Sequence, residues 1–198
     1  MRERKQRATR ERLLTVAQTL FADRGYDRTT MDDIAAAADV SRATAFNYFP
    51  RKEELLLALV ARRRAVIVDL LAREQPEAAD VADRLRRVLM SLCDALDTDP
   101  AGNRALTLAW VQAGGPLLPD AFATAAVFAD ALRGAQAHGQ LRPDIGPDSA
   151  GRILLDAYLG ALVRWAAEPD ATTASLREQF GAVLDIVIDG LHPRPPAH

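Results

Sequence analysis

An all-α fold is predicted from three observations. Apolar residues recur at three- and four-residue intervals along most of the chain. Gly, Pro, Asp and Ser punctuate those stretches at helix-like lengths. No segment alternates apolar and polar residues between hairpin turns. With 198 residues, 49% apolar and 26% charged, the chain has material for a real core and does not read as disordered. The count is about nine helices: three short ones at residues 1–52, then a long connector opening a larger helical body over 53–198.

The first helix is placed from about Gln6 to Arg24, because Leu13, Leu14, Ala17, Leu20 and Phe21 share one face and Gly25 suits a C-terminal stop. Thr30 can cap a second helix with Asp32 and Asp33 in its first turn, and Ile34, Ala35 and Ala38 as its apolar side. Asp39 stands at the turn and tolerates left-handed backbone. Ser41 can cap a third helix over about Arg42–Phe49, which Pro50 interrupts. The connector runs from about Lys52 to Glu74, with Arg62–Arg64 read as a solvated face or a contact across the domain junction.

Pro76 is read as opening the next helix, which carries Val81, Leu85, Val88, Leu89, Leu92 and Leu96 and ends at "TDPAGN". Further helices are expected near Arg104–Ala113, from about Pro119 to His138, and from Pro147 to about Ala167. The last is marked by Leu176, Phe180, Val183, Leu184, Val187, Ile188 and Leu191, and "HPRPP" stops it.

Net charge is −2, from 25 basic and 27 acidic side chains, so a histone-like polycation is excluded. The charge is uneven. Residues 1–52 hold 11 Lys/Arg against 7 Asp/Glu, and the remainder 14 against 20. A basic end that meets a polyanion and an acidic body that does not fit this asymmetry. The single cysteine, Cys93, excludes an internal disulfide and a Cys-based zinc site, and it reads as buried core. No cofactor is implied. The N-terminus has no signal-like apolar stretch and no run is long enough to cross a bilayer, so a cytoplasmic protein is expected.

Thr29–Leu55 carries the functional signal. Two short helices about three residues apart, inside a three-helix unit, have the dimensions of a helix-turn-helix. The second is slim and sparsely charged, and so can enter a major groove about 12 Å wide. Arg42 and Asn47 have the chemistry for bidentate base contacts, and Ala43 and the Thr44 methyl for thymine methyls. Tyr48 can donate to a phosphate. Lys52 brings a charge to a helix start, which also favours phosphate. The Arg-rich stretch before residue 13 can follow the backbone or reach the minor groove.

The stretch "TTMDDIAAAADVSRATAFNYFPRKEELL" resembles the TetR family of bacterial transcriptional regulators. Thr29, Thr30, Ile34, Ala35, Val40, Ser41, Thr44, Phe49, Lys52, Glu53 and Leu55 carry the match, which covers roughly residues 8–60. Four positions depart from the pattern: Asp39 replaces the usual turn glycine, Ala45 a larger apolar residue, Phe46 a phosphate-binding tyrosine, and Tyr48 a common histidine, though it can still hydrogen-bond phosphate. The resemblance implies that Thr30, Thr44, Tyr48 and Lys52 hold the DNA backbone while Arg42, Ala43 and Asn47 read bases. It also implies a ligand-responsive regulator of double-stranded DNA, by default a repressor, and a homodimer through the last two helices. Leu176–Leu191 supplies an apolar stripe for that dimer, and Ala157, Gly160 and Ala161 allow close helix approach. Two reading helices would then lie about 34–36 Å apart on a near-palindromic operator.

Between these ends, Met90, Cys93, Trp110, Phe122, Phe128 and Tyr158 are candidates to line a pocket for a small, mainly apolar effector, with Arg104 and Gln112 as orienting groups. Effector binding would shift the population toward a state that cannot span adjacent grooves. Two other classes compete. An enzyme has only His138 with Ser91, Ser149 or Ser175 as nucleophile–base material, and no catalytic motif. A dimeric helical small-molecule-binding protein without DNA binding is the alternative that Phe46 favours and Tyr48 and Lys52 oppose.

Overall fold

The computed structural model describes residues 1–73, 80–115 and 119–191. Among the described residues it has nine helices and no strand: α1 Arg2–Arg24, α2 Met31–Ala37, α3 Arg42–Tyr48, α4 Lys52–Arg73, α5 Val81–Asp97, α6 Pro100–Gln112, α7 Pro119–Ala137, α8 Pro147–Ala167 and α9 Thr173–Leu191. The predicted all-α class is the observed one.

Two boundaries differ from expectation. α1 begins at Arg2, four residues before Gln6, so the basic N-terminal stretch is helical. α6 begins at Pro100, where "TDPAGN" was read as a terminator. Asp99 caps that helix by accepting from the Gly102 N–H at 3.0 Å, and Pro100 sits in its first turn, where a missing N–H costs nothing. The expected opening at Pro76, the connector's end at Glu74, Pro116 and the "HPRPP" stop lie outside the described residues.

The chain divides into two compact units. The first is Met1–Arg63 with Asp99–Gly115, so α6 belongs with the N-terminal helices. Leu13, Leu14, Ala17, Phe21, Ile34, Ala45, Phe49, Leu55, Leu56 and Leu59 are buried in it. α6 packs on α1, and polar groups fasten the contact. Gln18 donates to the Asp99 carboxylate at 3.1 Å and accepts from Arg62 at 2.8 Å. Arg63 donates to the Thr107 hydroxyl and the Asn103 carbonyl. Arg62 and Arg63 therefore tie helices together within the unit, although the Arg62 side chain also remains partly in solvent.

The second unit is Arg64–Thr98 with Pro116–His198. α5 buries Val81, Leu85, Val88, Leu89, Leu92 and Leu96 against α9 and α7. α7 lies so close to α8 that a side chain at Gly151 would come within 2.7 Å of the Ala129 backbone nitrogen. Phe128, Tyr158 and Phe180 form an aromatic column, with ring centroids 6.2 Å and 5.4 Å apart. Leu176, Phe180, Leu184 and Leu191 are buried inside this unit. Most of the α9 stripe is thus used within its own chain, with Val183 and Val187 half-buried; the Ile188 side chain lies outside the described residues. Among the apolar groups of this unit that remain in solvent are Val68 on α4, Phe122 on α7, Ile153 on α8, 57% exposed, and Ile186 on α9, 77% exposed.

Candidate nucleic-acid interface

Local capping sets the geometry of the helix pair. At the start of α2 the Thr30 hydroxyl accepts from the Asp33 N–H at 3.1 Å, and the Asp33 carboxylate accepts from the Thr30 N–H at 2.9 Å and from its hydroxyl at 2.6 Å. This reciprocal box satisfies two N–H donors that the first turn leaves free. Those hydrogen bonds from Thr30, with help from Arg24, hold the Asp33 carboxyl below its usual range. Asp39 takes up φ 50° at the turn, so the missing glycine is replaced by a residue that accepts that backbone. At α3 the Ser41 hydroxyl accepts from the Thr44 N–H at 3.1 Å.

α3 has two clear sides. Ala45 and Phe49 are buried, while Arg42, Ala43 and Asn47 are exposed. Ala43 and Asn47, four residues apart, share an outward face. Thr44, Phe46 and Tyr48 are half-buried. α3 packs on α2, and both Ala45 and Phe49 are buried. Ala43 and Asn47 therefore share one accessible face, and Arg42, also exposed, lies on the adjoining side with Phe46. Thr30 is exposed, but its hydroxyl and N–H are committed to the cap.

Two cations of the site have partners that sequence reading missed. Arg42 donates to Asp32 of α2 at 3.0 Å and lies 5.2 Å from the centroid of the Phe46 ring. Lys52 donates to the Tyr26 carbonyl at 2.6 Å and the Thr29 carbonyl at 3.0 Å, and its ammonium lies 4.1 Å from the Tyr26 ring centroid. Tyr26 itself is buried, its hydroxyl has no hydrogen-bond partner, and burial, then Glu53 and Asp27, push its pKa up to about 12. In the basic first helix, Arg10 lies over the Phe49 ring at 5.0 Å.

The eight effector candidates are divided between the two units. Arg104, Trp110 and Gln112 are on α6 in the first unit; Met90, Cys93, Phe122, Phe128 and Tyr158 are in the second. Trp110 is buried with Gly115 lying against its ring, and Gln112 is exposed. Cys93, Phe128 and Tyr158 are core; Met90 is half-buried; Phe122 is 65% exposed. The second unit has an open groove of about 350 Å³ lined by α4, α5 and α7. Val68, Leu71, Ala72, Val127, Ala131 and Gly134 give it apolar walls, with Arg84 and Asp130 at its polar side. Arg84 donates to the Leu71 carbonyl at 2.9 Å, which holds α5 against α4. Small side chains and one glycine build this space, and no aromatic signal marks it in the sequence.

Among the described residues, no cluster of three or more His, Cys, Asp or Glu is placed to hold a metal ion, and no helix is long and apolar enough to cross a membrane. His138 is exposed, and its Nδ1 lies 2.8 Å from the Gly134 carbonyl of its own helix.

Comparison with known proteins gives the following. Residues 13–59 match the family model of bacterial regulatory proteins of the tetR family, and residues 67–190 that of the C-terminal domain of TetR/AcrR family transcriptional repressors. The HTH-type transcriptional regulator UidR of Escherichia coli K12 is 28% identical over 187 residues, spanning 89% of this chain and 93% of UidR. SmeT, repressor of the Stenotrophomonas maltophilia multidrug efflux pump SmeDEF, superposes with a TM-score of 0.75 at 26% identity, over 93% of this chain and 90% of SmeT. FadR of Thermus thermophilus, a transcriptional repressor solved with lauroyl-CoA, gives 0.68 at 30% identity, over 96% and 98%.

Proposed function

This chain belongs to the TetR/AcrR family of transcriptional regulators, and from that premise we propose that it is a repressor that binds a near-palindromic operator as a homodimer and leaves it on binding a small, mainly apolar effector. The observation that carries the reading is the outward face of α3. Arg42, Ala43 and Asn47 stand in solvent on a helix capped at Ser41 and seated through Ala45 and Phe49. Such a face presents one guanidinium, one amide and one methyl to base edges, the chemistry that reads a major groove. Thr44, Tyr48 and Lys52 flank it and position the phosphates, while Thr30, its donors spent on the Asp33 carboxylate, fixes the start of α2.

Residues 1–52 form the reading part and 53–198 the effector-binding and dimerisation part. α4, continuous from Lys52 to Arg73, is the element along which an effector-dependent shift passes. The groove lined by α4, α5 and α7 is the effector's seat, since its walls are apolar and its volume suits a small organic molecule. The lauroyl-CoA held by the Thermus relative supports an effector with an apolar portion. Ile153 and Ile186, exposed on α8 and α9, supply the dimer face. The protein works in the cytoplasm, and its action is binding without a catalytic step.

Gel retardation against random genomic fragments at two salt concentrations tests this. A regulator retains DNA, with log K falling steeply as log salt rises, because phosphate contacts release counterions. Failure to retain any duplex at low salt overturns the reading in favour of a dimeric small-molecule-binding protein, which the missing hydroxyl at Phe46 would then explain.

A further inference from the structure

We infer that Asp32 is a specificity-determining residue: it holds Arg42 in place to read one guanine in each half-site. This rests on the DNA-binding reading above. Neighbouring Asp33 is spent on the Thr30 cap and lies 3.6 Å from Arg24. Asp32 takes no part in the cap and has Arg42 as its ion-pair partner, NH1 to Oδ2 at 3.0 Å. The pair links α2 to the first turn of α3, and both side chains are exposed, at 56% and 70%. An exposed ion pair contributes little to stability. Its consequence is geometric.

An arginine free in solvent samples many rotamers, and a bidentate base contact must freeze them. Here two groups do so before DNA arrives. Asp32 engages NH1, and the Phe46 ring, one turn along α3, lies 5.2 Å from the guanidinium carbon. An ionic contact at one edge and an aromatic face beneath fix the position and the plane of the guanidinium. Nε and NH2 then remain as a parallel pair of donors. In the major groove guanine offers two adjacent acceptors, O6 and N7, whereas adenine offers one acceptor beside a donor. Two parallel donors therefore select guanine.

The carboxylate acts in a second way. A bare arginine beside DNA is drawn to any phosphate. Asp32 offsets the charge of Arg42 and repels phosphate itself, so the pair is poor at sequence-independent backbone contact. Phe46 serves the same end: a tyrosine there could donate to a phosphate, and phenylalanine supplies only the surface on which Arg42 lies.

The test is selection from a randomised duplex library with the full-length protein, wild type beside Arg42→Ala, Asp32→Ala, Asp32→Glu and Phe46→Leu. Wild type is expected to enrich one guanine per half-site, and Arg42→Ala to lose that preference. Asp32→Ala should lower the guanine preference at that position about tenfold, leave the other positions unchanged, and hold random duplex as tightly as wild type or more tightly. Asp32→Glu should restore part of the preference and Phe46→Leu lose part. If Asp32→Ala keeps or sharpens the guanine preference, or weakens all positions equally, the assignment is overturned while the DNA-binding reading stands. A wild-type protein that retains no duplex overturns the DNA-binding reading itself, and the assignment with it.

Discussion

Lys52 is held by the residue it covers: its ammonium donates to the Tyr26 carbonyl at 2.6 Å and lies 4.1 Å from the centroid of the Tyr26 ring. A second carbonyl, Thr29, accepts at 3.0 Å. The start of α4 is thereby tied to the segment joining α1 and α2. A lysine read from the sequence as a phosphate contact is also a structural tie. Lys52→Ala should therefore have two separable effects. Two carbonyls lose a charged donor, which costs about 2 kcal/mol in urea unfolding. Binding to every duplex should weaken about equally, since no base contact is lost. Unchanged affinity in the fully folded variant would leave Lys52 with the structural role alone.

Two helix glycines should respond oppositely to alanine. A methyl at Gly151 would lie 2.7 Å from the Ala129 nitrogen and 2.9 Å from the Ala125 carbonyl oxygen, both backbone atoms that cannot swing aside. Gly151→Ala forces α7 and α8 apart, at about 1–3 kcal/mol. A methyl at Gly134 on α7 meets nothing within 4 Å. Gly134→Ala removes the entropy cost of a helical glycine and should stabilise by about 0.5–1 kcal/mol. Urea unfolding of the two variants beside wild type reads both signs; equal effects would contradict the close α7–α8 approach.

Ile186 separates dimerisation from folding. It is 77% exposed within the chain, so Ile186→Asp removes little buried contact. In a dimer that covers it, the same change places an unpaired carboxylate in an apolar interface, at a cost of several kcal/mol. Light scattering coupled to gel filtration should give monomers with a wild-type circular dichroism spectrum. An unchanged dimer would move the interface off this face of α9.

What the sequence disclosed was what short spacings control. The caps at Thr30 and Ser41 and the turn at Asp39 each depend on residues within a few positions, and all three are present; the return bond between Asp33 and Thr30 is an addition of the structure. The exposure of Ala43 and Asn47 agrees with their four-residue spacing, whereas Arg42, three residues before buried Ala45, was singled out by its chemistry and not by its place on the helix. Pairings across long separations were not legible. Nothing local points Lys52 at a carbonyl 26 residues earlier, or Gln18 at Asp99, 81 residues on. Effector candidates chosen for aromatic character were drawn from both units, because aromatic side chains mark a core as readily as a pocket. The groove found is bounded by Val68, Leu71, Ala72, Val127 and Ala131, residues that any helix uses for packing, so composition could not single them out.

Cys93 gives the pH-dependent prediction. Burial pushes its thiol from 9.0 up to about 11, against an opposing pull from Arg177. The fold thus favours the protonated thiol. Its contribution to stability is fully present below about pH 9 and is lost as pH rises toward about 11, because the unfolded chain releases that proton first. A thiolate is the reactive form, so the native protein should react with a thiol reagent at pH 8 at least about tenfold more slowly than the same protein in urea. Cys93→Val, similar in volume and without a titrating group, should flatten the fall in stability between about pH 9 and 11. Native labelling as fast as in urea would place Cys93 at the surface and remove it from the packing between α5 and α9.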